Sequence, residues 1–189
     1  MGLLLGFAPF IVFSLLTGIS VDLALWIAFA AAFTIAIRDF AHTRILRILD
    51  VGSMMLFGAL ALYRGFIEPM ASIQAIRLVV DGGLLAITLG SMLAGNPFTL
   101  EYAREHVPQE FWDAPLFRRT NYLIAAVWTL AFAAMSAADA ATLFSKRFPA
   151  VLDVATGLAA LTLAVAFTAR HPARVRTSLA RRAATHPYD

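Results

Sequence analysis

Apolar residues fill this chain in long unbroken runs, and polar residues collect in the short gaps between them. A membrane-spanning helix needs roughly 17 to 25 mostly apolar residues. Six segments reach that length: residues 3–19, 21–37, 51–67, 73–94, 121–141 and 151–169. They predict an all-α, polytopic membrane bundle of six transmembrane helices forming a single domain over residues 1–189. Two stretches are left over, a connection over residues 95–120 and a tail over residues 170–189. The first hairpin is tight, turning at Ser20 and Val21 with Asp22 as its cap. The first run lacks a basic leader and a small-residue cleavage site, so it reads as a retained helix.

Basic residues are distributed unevenly between the gaps. Arg38, Arg44, Arg47, Arg104, Arg118, Arg119, Arg170, Arg174, Arg176, Arg181 and Arg182 fall on one side of a six-span topology. Lys146 and Arg147 alone occupy loops of the other side, while Arg64 and Arg77 lie inside span ends. The positive-inside rule then places both termini in the cytoplasm of a bacterial inner membrane.

Small residues indicate how the helices meet, because backbones in lipid approach most closely at Gly and Ala. The second span carries Ala24, Ala28, Ala32 and Ala36 at helical spacing. In the fourth, Gly82, Ala86, Gly90 and Ala94 form one face, and Arg77, Asp81, Thr88 and Ser91 the opposite one. Neither face suits lipid, so this helix is expected at the centre of the bundle. Gly2 and Gly6 make a lone Gly-x-x-x-Gly pair, a weak signal for a homo-oligomer.

Composition sharpens the class. Hydrophobic residues make up 60% of the chain and charged residues 14%, against about a quarter charged in soluble domains. The pI near 9.8 comes from basic groups flanking apolar spans, so membrane lipids are the expected counter-charge and no nucleic acid is implied. Cysteine is absent, which removes thiol chemistry and Cys-based metal sites. His42, His106, His171 and His186 have no zinc-helix spacing, so neither a metal nor a cofactor is expected. No nucleophile elbow or phosphate loop occurs: Ser53 has no His partner within the membrane, and Asp81-Gly82-Gly83 leads into no Gly-Lys-Ser/Thr. Nothing in these motifs indicates an enzyme. No inverted repeat relates the halves, which counts against one class of transporter.

Charge inside the membrane is the best functional pointer, since an ionisable group there must be paired or hydrated. Asp81 is deepest, Arg77 lies one turn away, and Arg64 ends the third span on the same half. Asp22, Asp139 and Asp153 lie near the same helix ends. Two readings stay open. Asp81, Arg77 and Arg64 line a polar cavity that binds a small solute or lipid phosphate, or Asp81 and Arg77 neutralise each other within one helix. In the connection, Asn96 and Pro97 open a short helix, with Phe98 and Tyr102 on one side. Phe111 and Trp112 follow beside Arg118 and Arg119. This set forms either an aromatic belt at the headgroups or a surface for other inner-membrane proteins. The tail, interrupted by Pro172 and Pro187, reads as a flexible segment attracted to lipid.

The order of several motifs resembles a known family. Leu4-Leu5-Gly6-Phe7-Ala8-Pro9 leads into an apolar helix, and a basic link follows at Arg38 to Arg47. The fourth helix ends in Asn96-Pro97-Phe98, and the connection carries Val107-Pro108 and Phe111-Trp112. The next helix opens at Asn121 and contains Ala126-Val127-Trp128, and Phe148-Pro149 precedes the last. This layout resembles the bacterial inner-membrane intracellular septation protein A family over residues 3–170. The segment Phe98 to Arg104 and the tail fall outside the match. The resemblance implies a non-enzymatic envelope protein tied to septation and peptidoglycan synthesis through membrane partners, with no catalytic residues to carry over.

Overall fold

The computed structural model describes residues 5–105, 107–145 and 149–185, with side chains described as far as His171, Ala150 excepted. Gly2, His106, Lys146, Arg147 and His186, and the side chains of the tail arginines beyond Arg170, lie outside that description. Seven helices follow in order: α1 (Ala8–Leu16), α2 (Val21–Thr43), α3 (Ile48–Leu62), α4 (Ile73–Leu93), α5 (Phe98–Arg104), α6 (Pro115–Phe144) and α7 (Ala150–Thr185). No strand occurs among the described residues. Among the described residues, five helical stretches are long and apolar enough to cross a membrane: α2, α3 with its continuation to Ile67, α4, α6, and α7 from Val151 to His171. The chain is therefore all-α and multi-pass in character. The first helix is only 9 residues long between its described caps, short of a span on length alone.

Local signals explain most boundaries. Ser20, in extended backbone, accepts from the Leu23 N–H and caps α2, so Asp22 is free for another partner. Ser72 caps α4 in the same way through the Ala75 N–H. Arg44 ends α2 in the left-handed region at φ 58°. A π turn, Tyr63–Ile67, closes α3 and changes the direction in which Arg64 points. Pro115 stands at the first position of α6, a site where its missing N–H costs nothing. That helix begins before Asn121, which shortens the expected connection and places Arg118 and Arg119 on a helix. α7 runs on through Pro172 to Thr185, so the expected flexible tail is helical as far as it is described.

Packing bears out one small-residue expectation and reverses the other. Ala24, Ala28, Ala32 and Ala36 are all buried, and α2 lies against α1 and α3 along them. On α4 the buried face is Ile76, Val80, Leu84, Thr88 and Ser91, turned toward α6. Ala86 and Gly90 are exposed, and a Cβ on Gly82 or Gly90 would meet nothing within 4 Å. The glycines that permit close approach are Gly83 and Gly52, where an added Cβ would lie 2.7 Å from Leu56 and Ile87 respectively. Thr88 and Ser91 pack inward because their hydroxyls are satisfied within the helix, on the Leu85 and Thr88 carbonyls.

A buried aromatic cluster joins the N-terminal segment to α3 and α6. Phe7 stacks on Trp128 of α6 at 4.4 Å and 15° and meets Phe98 edge-on at 6.0 Å. Phe10 and Phe13 contact Phe57 of α3 at 4.8 and 5.6 Å. Offset or edge-on aromatic pairs add about 0.5–1.5 kcal/mol each beyond area burial. A short helix thus ties α3 to α6. The Trp128 indole N–H then donates to Thr168 Oγ1 at 3.0 Å, fastening α6 to α7.

Candidate functional site

Charged groups gather toward the two ends of the bundle, with Asp81 the deepest of them. At 1.5 Å per residue, Asp22 and Asp39 of α2 are about 26 Å apart, and Asn121 and Asp139 of α6 about 27 Å. Both separations approach the roughly 30 Å of a bilayer's hydrocarbon core.

At the first end lie the residues singled out from the sequence, in two separate groups. Arg64 donates through Nε to Asp22 Oδ1 at 2.6 Å and through Nη1 to the Ala71 carbonyl. Arg77 turns away from its own helix: Nε lies 3.7 Å from Asp139 Oδ1 on α6, and Nη2 lies 3.1 Å from Asp153 Oδ2 on α7. The expected Arg77–Asp81 pair does not form. Asp139 and Asp153 are only 2% and 5% exposed, and two desolvated carboxylates on facing helices claim the nearby cation. Asp81 instead lies close enough to the Asp139 carboxyl for the two to interact electrostatically. Oδ2 of Asp139 is buried with no hydrogen-bond partner. No ion pair among the described residues joins Arg64 to the Arg77 group.

The opposite end holds a denser network that the sequence reading missed. Arg47, in the link between α2 and α3, is 6% exposed and pairs with Asp39 and with Glu105. Its guanidinium stacks over the Tyr102 ring at 4.5 Å. Arg38 binds the other oxygen of Asp39 through Nε at 2.9 Å and Nη2 at 2.7 Å. Tyr102 donates to Asp50 Oδ1 at 3.4 Å. Glu101 Oε2 accepts from the Ile48 N–H at 2.9 Å, so a side chain from α5 caps the start of α3. Oε1 accepts from Asn96 Nδ2 at 3.4 Å. Asn96 thus supports this cap rather than opening α5, where Pro97 takes that position.

Electrostatics follow from burial. Desolvation pushes the Glu101 carboxyl and the Tyr102 hydroxyl above their ordinary values. Burial opposes the charge on Arg47, yet Asp39 and Glu105 outweigh it and hold the guanidinium's value up. A sequence signal for this network existed: Asp39 and Asp50 flank the arginines of the first basic link, and acids beside apolar spans need partners.

Of the six expected surface residues, two are internal. Phe98 and Tyr102 are buried, at 0% and 4% exposure, because α5 folds under the bundle and Thr99 donates to the Asn121 carbonyl at 2.8 Å. They form neither belt nor docking surface. Phe111, Arg118 and Arg119 are exposed. Trp112 is half-buried, donates to the Val107 carbonyl at 2.9 Å and carries Arg104 over its ring at 5.1 Å. Beside this end an open groove of about 530 Å³ runs between α3 and α4. Among the described residues no group of His, Asp and Glu side chains is arranged to hold a metal ion.

No protein-family model, curated protein or solved structure matches this chain.

Proposed function

We propose that this is a non-enzymatic protein of the bacterial inner membrane that crosses the bilayer six times, keeps both termini in the cytoplasm, and acts as a scaffold for membrane partners in envelope maintenance or septation. Support for the sixth crossing comes from the height of the first helix. Gly6 lies against Tyr102 and Leu49 at the Arg47 end, and Ser20 caps α2 beside Asp22 at the Arg64 end. The two levels are about 21 Å apart at helical rise, so the segment traverses most of the bundle. The arginine asymmetry then makes the Arg47 end cytoplasmic. Because the chain has no cysteine, single cysteines report topology cleanly. Ser20→Cys and Ser145→Cys should react with an impermeant maleimide in spheroplasts, whereas Gly2→Cys, His42→Cys and Asp113→Cys should react only after lysis. Labelling of Gly2→Cys in intact spheroplasts refutes the sixth crossing.

The observation that carries the scaffold reading is where the charges are spent. Arg47, Arg64 and Arg77 are each engaged in pairs between chain segments, while Phe111, Arg118 and Arg119 face outward at the cytoplasmic end. The septation assignment rests on the family resemblance. In a strain lacking the chain, the wild type should restore normal division and a Phe111→Ala, Arg118→Glu, Arg119→Glu triple variant should not, although it reaches the membrane at wild-type level. Full rescue by the triple variant removes the partner surface.

A second reading is favoured by the unpartnered Asp139 Oδ2 beside Asp81. It is a small transporter or channel using Asp81 and Arg77, with Arg64 occupied elsewhere. Proteoliposomes that acidify in response to a solute gradient, and lose that response on Asp81→Asn, would establish it over the scaffold.

A further inference from the structure

We infer that the groove between α3 and α4 is a binding site for an anionic phospholipid, with one acyl chain lying in the groove and the phosphate held at Arg44. The floor is shaped by small side chains: Val51, Gly52 and Met55 contribute from α3, and Ala86, Gly90 and Ala94 from α4. Its volume, about 530 Å³, falls within the roughly 300–1,000 Å³ range of small-molecule sites. The groove exists because two elements of the packing pull in different directions. Gly52 and Gly83 bring the helices together where Ile87 and Leu56 fill the space of the missing Cβ atoms. Further along, Gly90 offers no side chain, and nothing lies within 4 Å of where its Cβ would be. The helices meet along one line and leave a furrow beside it.

Charge at the mouth selects the occupant. Leu46, Arg47 and Ile48 line the groove at the basic end. Arg47 is buried and committed to Asp39 and Glu105, so it supplies no free donor. Arg44 lies two residues before Leu46, within about 7 Å along an extended chain. It is exposed, has a left-handed backbone at φ 58°, and holds its guanidinium over the Phe40 ring at 6.0 Å. Arg38, like Arg47, is committed to Asp39, which leaves Arg44 to meet the headgroup. A diester phosphate meets both requirements, a guanidinium partner at the headgroup depth and an apolar tail in the furrow. A neutral zwitterionic lipid would gain the furrow without the net attraction. Ser91, which borders the same groove, spends its hydroxyl on the Thr88 carbonyl and the Phe98 N–H, leaving the interior apolar.

This inference rests on the membrane-embedded reading and not on the envelope role, and the test separates them because it uses purified protein without partners. Protein released from nanodiscs containing equal phosphatidylglycerol and phosphatidylethanolamine is weighed by native mass spectrometry. The wild type should retain one phosphatidylglycerol. Gly90→Phe, whose ring would enter the furrow without displacing any atom, should lose it. Gly82→Phe, on the same α4 face but outside the groove, should keep it and so controls for folding. Arg44→Asn removes the charge while tolerating the left-handed backbone. It should weaken retention about fivefold, the effect of one basic group near an anionic surface. Equal retention of the two lipids, retention by Gly90→Phe, or a protein dimer that Gly90→Phe abolishes would each overturn the site. Loss of division phenotypes with intact lipid retention would instead bear only on the scaffold.

Discussion

Replacing Arg47 with Met tests whether the network at the Arg47 end holds the bundle together. The guanidinium is 7% exposed as a side chain, as is Asp39, and the pair joins the end of α2 to the start of α3. Breaking a buried pair by removing one partner costs about 3–5 kcal/mol, since the remaining charge stays desolvated. Asp39 keeps both bonds from Arg38, which places this loss near the lower figure, about 3 kcal/mol. Loss of the stacking over Tyr102 adds about 1 kcal/mol. The sum, about 4 kcal/mol, lowers the folding equilibrium constant on the order of a thousandfold. Reversible unfolding of micelle-solubilised protein by SDS, followed by tryptophan fluorescence, measures it. Adding Asp39→Leu should recover most of the loss, because the stranded carboxylate is gone and Arg38 is half-exposed. A single variant within 0.5 kcal/mol of wild type, or a double variant no better than the single, refutes the assignment of Arg47 as the electrostatic hub.

Other substitutions probe separate links. Phe7→Ala removes the ring between Trp128 and Phe98 and should cost about 3–5 kcal/mol in the same unfolding assay. Gly6→Val drives a Cβ into the Tyr102 hydroxyl and Leu49 and should cost about 1–3 kcal/mol. Gly82→Ala, with open space around it, should be neutral or stabilise by about 0.5–1 kcal/mol. Burial raises the Glu101 carboxyl above its ordinary 4.5 in the folded protein. The folded state therefore binds that proton more tightly than the unfolded one, and the resulting stability, full below 4.5, is lost as pH rises through the raised value. Glu101→Gln keeps an oxygen for the Ile48 N–H and carries no charge. It should be at least as stable as wild type at pH 7, with a flatter stability curve above pH 4.5. A markedly less stable amide variant would mean that the charge, rather than the acceptor oxygen, caps α3.

The membrane character and the alanine seam of α2 were legible because they depend on local runs and periodicity. The four alanines at i, i+4 spacing on α2 are all buried. The small face of α4 was misleading for a physical reason: Gly and Ala are compatible with lipid as well as with a helix, so their presence does not say which they meet. Thr88 and Ser91 were expected away from lipid, and they pack inward with their hydroxyls bonded to their own helix. The Arg77 partner was also undecidable by spacing. Asp81 is nearer along the chain, but Asp139 and Asp153 lie in α6 and α7, and only the tertiary arrangement brings them to the guanidinium. Phe98 and Tyr102 carried the pattern of an interfacial helix, and the fold of α5 beneath the bundle turned that pattern inward.

The position of α1 bears on how the protein is assembled. Its Phe7 ring is synthesised early, while the Trp128 it stacks on follows 121 residues later; at about 5–20 residues per second that is a delay of roughly 6–24 s. During this interval Phe7 must wait without the ring it stacks on, although Phe10 and Phe13 can already meet Phe57. A chain arrested before α6 would keep that face of Phe7 available to the insertion machinery or to a neighbour, and the arrival of α6 would close it. Synthesis of α6, rather than insertion of the first hairpin, is thus the step that completes the packing around Phe7.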